Sequence, residues 1–476
     1  MKIEEPVLER HPSPDEATVA SSIDPVMEKR VIAKFDRWFL PQIFILNLIA
    51  YLDRSNVGNA KVFGFAEDLH LKGNEFSNLV TLFYVTYVVF ETPWAACVKR
   101  FGVNKVLAVA FVCWGIVTLG NGFVQNYSQA MACRLLLGAF EAGISPSIAF
   151  FISTVYPRKE QAKRMAMIYI SAALSGAFGG LIAYGIQKMG EQRGLAAWRW
   201  LFIIEGVVTI VVCGCCWFSL PTTAEDAWFL TEEEKSMMQL RKKLEHVYKG
   251  DDKFEWRYVR MATVDPMVWL AAVSLFGAGV CLFGFGTFLP SILKGQGYTS
   301  LQANYLSIPV YIWATIATTF ATWLSDRLGM RAIVAFFVPL PVICGYAIAI
   351  GTTNHGAGYF AMYLVGTLYA YNTLLMSWLS NNLKPDYKRA VGLAFYLSFG
   401  NISGAIAGQI YVADTAPRYV LGNAVSLGME AMAMAGIVAL YVLWRSRDMK
   451  KQQLLDEGVT DNGKEGDRAL DFKYIL

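Results

Sequence analysis

Four charged residues stand inside segments that are otherwise apolar: Asp53 and Arg54 in YLDRSN, and Arg134 and Glu141 in RLLLGAFEAG. A charge in the hydrocarbon core of a bilayer costs about 2.5–3.5 kcal/mol even on the lenient insertion scale, so such a set is a site hypothesis by default. Arg134 and Glu141 are seven residues apart, two helical turns, and project from one face about 10 Å apart along the axis. The expected depths put Asp53, Arg54 and Arg134 level in one half of the membrane and Glu141 deeper. With all four ionised, two arginines balance two carboxylates. When Asp53 and Glu141 take up protons, the positive charge left over can be met by the carboxylate of a small organic anion, so proton and anion favour each other's binding. That linkage is what symport requires. Histidine cannot take the proton, because His11, His70, His246 and His355 lie in the tail or in loops. The competing expectation is a set of structural ion pairs, Asp53 above all.

The elements that must position these groups are transmembrane helices. The chain has 476 residues, 55% of them hydrophobic and 17% charged, with a mean hydropathy of +0.37. That is too little polar surface for a soluble particle of this size. Apolar runs recur near residues 40–57, 79–97, 106–123, 129–154, 166–186 and 201–220, then near 267–293, 305–324, 332–351, 359–379, 391–412 and 421–444. Each is long enough to span a bilayer as a helix. The expectation is an all-α membrane protein of about 12 helices in two six-helix halves. Residues 1–38 form a tail and surface helix, 39–221 the first half, 222–264 a central loop, 265–446 the second half and 447–476 a second tail. Alternate loops are basic (Lys99, Arg100 and Lys105; Arg327 and Arg331; Lys384, Lys388 and Arg389), which places them and both termini in the cytosol. Landmarks repeat between the halves: Arg100 with Arg327, Arg164 with Arg389 and Gly176 with Gly400, at offsets of 227, 225 and 224 residues. Two parallel repeats with a site between them follow.

The net charge of +4 is spread over short segments, which excludes a nucleic-acid footprint. The cysteines lie in apolar runs. Cys213, Cys215 and Cys216 have no histidine beside them, so neither a disulfide framework nor a metal site is expected. No enzyme constellation appears, and no cofactor is implied.

The second half has few interior charges, and its share of a site should be neutral and aromatic: Ser377, Trp378 and Asn401, with Asn372 and Gln409 as further polar positions. Tyr84 and Tyr87, three apart on one helix face, suit the cavity wall or ordinary packing. Glu91 and Asp326 fall near helix ends and suit gate contacts. Glu205, followed by Gly206, reads as a packing position, and no partner is legible for Glu430.

The segments YLDRSNVGNA, RLLLGAFEAG, YPRKEQAKR, WRWLFIIEG, SDRLGMR and GNISGAIAGQIY together resemble the major facilitator superfamily. More closely they are similar to the fungal allantoate permease branch of its anion:cation symporters, which includes nicotinate, pantothenate and biotin permeases. The resemblance implies that Asp53 and Glu141 handle protons, that Arg54 and Arg134 take the acid group and that Asn401 contacts substrate. It also implies a gate motif at Lys99, Arg100 and Gly102, repeated at Asp326, Arg327 and Gly329. Trp94 and Ala95 stand where the branch commonly has Ser-Asn, and no Asp accompanies Lys99. A monomeric plasma-membrane importer driven by the proton gradient is the expectation, with a vitamin-like monoacid as cargo. A proton-antiport exporter and a non-transporting sensor are the alternatives.

Overall fold

The computed structural model describes residues 24–101, 103–156, 158–221, 223–249, 256–412 and 415–475. They are almost wholly helical. Helix α1 (Pro25–Trp38) is followed by α2 (Leu40–Val62), α3 (Phe65–Asp68), α4 (Glu75–Phe101), α5 (Val103–Asn121), α6 (Tyr127–Glu141), α7 (Ile144–Val155), α8 (Arg158–Met189) and α9 (Ala197–Ser219). After α10 (Glu232–Lys249) and α11 (Trp256–Thr263) come α12 (Pro266–Gly295), α13 (Ser300–Leu328), α14 (Arg331–Phe337), α15 (Pro339–Gly351), α16 (His355–Gly366), α17 (Tyr369–Asn381), α18 (Asp386–Ile410) and α19 (Val420–Asp456).

The local chemistry explains many of the boundaries. Asp24 caps α1 by accepting from Val26 N, with Pro25 at the first position where its missing N–H costs nothing. Thr299 and Gln302 form a reciprocal capping box at the start of α13. That helix ends at Gly329, whose φ of 66° is the left-handed conformation glycine adopts freely. Seven helical segments among the described residues are long and apolar enough to cross a membrane. Helix α2 is not one of them. Its own Asn47, Asp53, Arg54, Asn56 and Asn59, all buried, lower its hydropathy, so the helix richest in site chemistry is among the least apolar.

The amphipathic segment expected at the membrane surface is α1, and it is docked. Phe35 packs edge-on to Phe229 at 4.9 Å between ring centres, Lys34 pairs with Glu234 at 2.6 Å, and Asp36 pairs with Arg164 at 2.6 Å. A like contact joins the start of α12 to α18: buried Asp265 takes Lys388. In each half of the sequence a buried or half-buried aspartate thus meets a basic side chain of a neighbouring helix.

The helices from residues 40–219 meet those from 266–410 closely at one end. A Cβ on Gly58 of α2 would overlap the Thr287 carbonyl oxygen of α12. Gly176 and Gly180 of α8 lie against Tyr311 and Ser307 of α13, and Gly404 and Gly408 of α18 against Tyr84 and Thr81 of α4. Small residues here let backbones approach where lipid offers no hydrophobic drive for association. Gln409 Nε2 adds donations to Asn78 Oδ1 at 3.1 Å and Thr81 Oγ1 at 2.9 Å.

Candidate functional site

Adjacent residues on a helix diverge by about 100°, and that turn decides the site. Arg54 projects from α2 toward α6, where Nε donates to Glu141 Oε1 in a buried ion pair. Asp53 projects toward α5 and α9, where Oδ2 accepts from Thr118 Oγ1 at 2.8 Å and the carboxylate faces Arg134. The four charges are therefore brought together, but crosswise, with Arg54 reaching Glu141 and Asp53 facing Arg134. The long arginine side chain covers the difference in helix position that the sequence spacing had suggested.

The Arg54 guanidinium is held between two aromatic faces, 4.8 Å from the Tyr51 ring centre and 4.6 Å from that of Tyr87. Tyr87 Oη in turn meets Ser145 Oγ at 3.0 Å. Glu141 Oε2 has no hydrogen-bond partner among the described residues, nor do Nε and Nη2 of Arg134, whose guanidinium lies 5.9 Å from the Phe202 ring. Buried charge with open hydrogen-bond capacity is unusual.

Between the two sets of helices lies a central cavity lined by Tyr51, Arg54, Ser55, Tyr84, Ser175, Phe283, Thr287, Tyr311 and Tyr369, with small residues between them. Of the four charges only Arg54 is in that lining; Arg134 stands behind it, among Asp53 and Phe202. The second half lines the cavity with Phe283, Thr287, Tyr311 and Tyr369, and not with Ser377, Trp378 or Asn401. Trp378 is elsewhere: it packs on Trp444 at 4.6 Å and donates through Nε1 to the Ile475 carbonyl at 2.7 Å. Its neighbour Ser377 is engaged by Arg331 Nη1. A bulky amphipathic indole near a helix end finds a partner in the returning tail, which hydropathy could not foretell. Asn372 is engaged by Tyr396 Oη at 3.2 Å, and Gln409 belongs to the tight end described above. Asn401 lies with Ser398 beside Glu91, joining α18 to α4.

In the gate motifs, Lys99's side chain and Gly102 fall outside the described residues. Arg100 is exposed beside the Phe101 ring. Asp326 pairs with Arg331 at 3.6 Å, and Arg327 lies over Trp323 at 5.2 Å. Trp94 fills a defined role: it packs on Gly143, where the α6–α7 pair breaks, and Nε1 donates to the Ala139 carbonyl at 2.7 Å. Among the described residues no group of three or more His, Cys, Asp or Glu side chains is placed to hold a metal.

The sequence matches the Major Facilitator Superfamily model over residues 43–408. The chain belongs to the major facilitator superfamily. It is 39% identical over 462 residues to an uncharacterized transporter of Schizosaccharomyces pombe, covering 96% of this chain and 92% of the relative. It is 35% identical over 456 residues to the high-affinity nicotinic acid transporter of Saccharomyces cerevisiae, covering 94% and 85%. In fold it is similar to a D-xylose-proton symporter (TM-score 0.63, 13% identity, 86% of this chain and 97% of that one). It is also similar to a bacterial homolog of the human lysosomal transporter Spinster (TM-score 0.62, 16% identity, 88% and 96%). The protein is a multi-pass membrane transporter of this superfamily rather than an enzyme.

Proposed function

We propose that this transporter is a proton-coupled symporter of a small organic monoacid, nicotinate-like in having one carboxylate and an apolar or ring body. The observation that carries the reading is Arg54: it lines the central cavity, lies between two tyrosine rings and is neutralised by a carboxylate that a proton can discharge. When Glu141 is protonated, Arg54 loses its counter-charge, and the carboxylate of the cargo replaces it. When the proton leaves, Glu141 reclaims the arginine and the cargo is released. Asp53 and Arg134 form a second exchangeable pair behind the first. Tyr84, Tyr311 and Tyr369 supply ring faces and hydroxyls for the rest of the molecule. The similarity to a nicotinic acid transporter supports a monoacid of this type.

The movement is alternating access between two six-helix halves, twelve spans in all, with the halves as residues 39–221 and 265–446. Both termini and the loop 222–264 face the cytosol by the distribution of Lys and Arg. The tight end, with Gly58, Gly180 and Gly408, is then the outer one. The carrier works as a monomer in the plasma membrane, with the proton gradient as its only energy source. The deciding experiment is uptake of labelled nicotinate into proteoliposomes under an inward proton gradient, with a panel of organic acids as competitors. Accumulation abolished by a protonophore supports import. Accumulation increased by it supports an exporter, and binding without flux supports a sensor.

A further inference from the structure

Glu205 of α9 stands where the sequence offers only packing. It is 4% exposed, Oε2 accepts from Asn56 Nδ2, and its carboxyl meets that of Asp53 across the α2–α9 interface. Its Oε1 has no donor among the described residues. Asp53 already receives Thr118, while Arg134 faces both carboxyls, Cys213 faces Asp53 and Glu141 is the next acid along. Two carboxylates in contact in a low-dielectric interior cannot both be ionised. Charge balance leads to the same place. Arg54 and Arg134 match Asp53 and Glu141, and a third negative charge would be buried without compensation.

We propose that Glu205 is a resident carboxylic acid, protonated throughout the transport cycle, whose Oε1–H donates to Asp53. It holds the Asp53 carboxylate in place as an anion until a transported proton arrives. Asn56 fixes the orientation by occupying the other oxygen. Glu205 is thus a positioning residue for the proton site rather than a third coupling carboxylate. This deepens the role proposed for Asp53 above, and its direct test needs no transport.

The direct test is infrared spectroscopy of the purified full-length carrier at neutral pH, reading the carbonyl band of protonated carboxyls. Glu205→Gln is expected to lose a component of that band. A band unchanged in Glu205→Gln would overturn the proposal, whatever the cargo proves to be. The pH profile of driven uptake gives a second readout. Glu205→Ala, which removes the donor to Asp53, is expected to move the midpoint alkaline by roughly tenfold in proton concentration. Glu205→Gln keeps an N–H donor and is expected to bring the midpoint back. A midpoint unmoved in the alanine variant, or moved equally in both, would count against the assignment.

Discussion

Arg54 is paired with Glu141 on a neighbouring helix and not with Asp53, the residue beside it in the chain. One ion pair stands at the cavity, while behind it Asp53 faces Arg134 without a direct bond.

The cavity pair is the coupling pair in the proposed cycle. Glu141→Gln leaves Arg54 permanently available to the cargo, so counterflow exchange should persist while proton-driven accumulation falls at least about tenfold, equivalent to about 1.4 kcal/mol of lost coupling. Proteoliposomes measured with and without a pH gradient separate the two. Intact accumulation with both Asp53 and Glu141 neutralised would remove the coupling assignment.

Arg54→Gln should weaken cargo binding by about 30-fold or more, in line with the 2–5 kcal/mol typical of truncating one side of a buried charged pair. Arg54→Lys should recover little of it, since an ammonium lacks the planar fork that both stacks between Tyr51 and Tyr87 and meets a carboxylate. Titration of the purified variants with the transported acid reads the difference. Unaltered affinity in Arg54→Gln would mean the cargo is held elsewhere.

At the other end of the molecule Asp265 caps α12, and Lys388 and Arg447 on it hold its carboxyl down to about 2. A depressed carboxylate stabilises the fold above its unfolded value near 4, and that contribution disappears as pH falls toward 2. The linkage is worth about 2 kcal/mol. Asp265→Asn should therefore lower the melting temperature at pH 7, and the gap to the natural protein should close as the pH is brought from 5 toward 2. A gap independent of pH would assign the loss to packing rather than charge.

Gln409 and Asn78 touch across the tight end. In a variant cleared of its native cysteines, Asn78→Cys with Gln409→Cys should cross-link under oxidation and stop uptake, with activity restored by reductant. Free transport in the cross-linked form would show that this end need not open.

The gross plan was legible because lipid imposes it. A run of about twenty apolar residues has few other uses, and the four charges inside such runs could hardly be decorative. Partnerships were not legible, because they depend on rotation about the helix axis. Asp53 and Arg54 look like one pair in the sequence, yet Arg54 pairs with Glu141 and Asp53 turns to Thr118. Glu205 reads as a packing position because its neighbour is a glycine, yet Gly206 packs on Leu119 while Glu205 turns inward to Asn56 and Asp53. An acid directly after the apolar run LFII in WRWLFIIEG is the available signal. Trp378 is the reverse case. Its chemistry suited a cavity, but the partner that claims it, Ile475, lies 97 residues on, beyond any local pattern.

The contact of Gly58 with the Thr287 carbonyl leaves no room for adjustment, because both sides are main chain. A single methyl group at position 58 would act as a wedge, biasing the population away from the arrangement described and toward its counterpart. Gly58→Ala is accordingly a handle for capturing the opposite orientation of this carrier, so that the second half of its cycle can be seen directly.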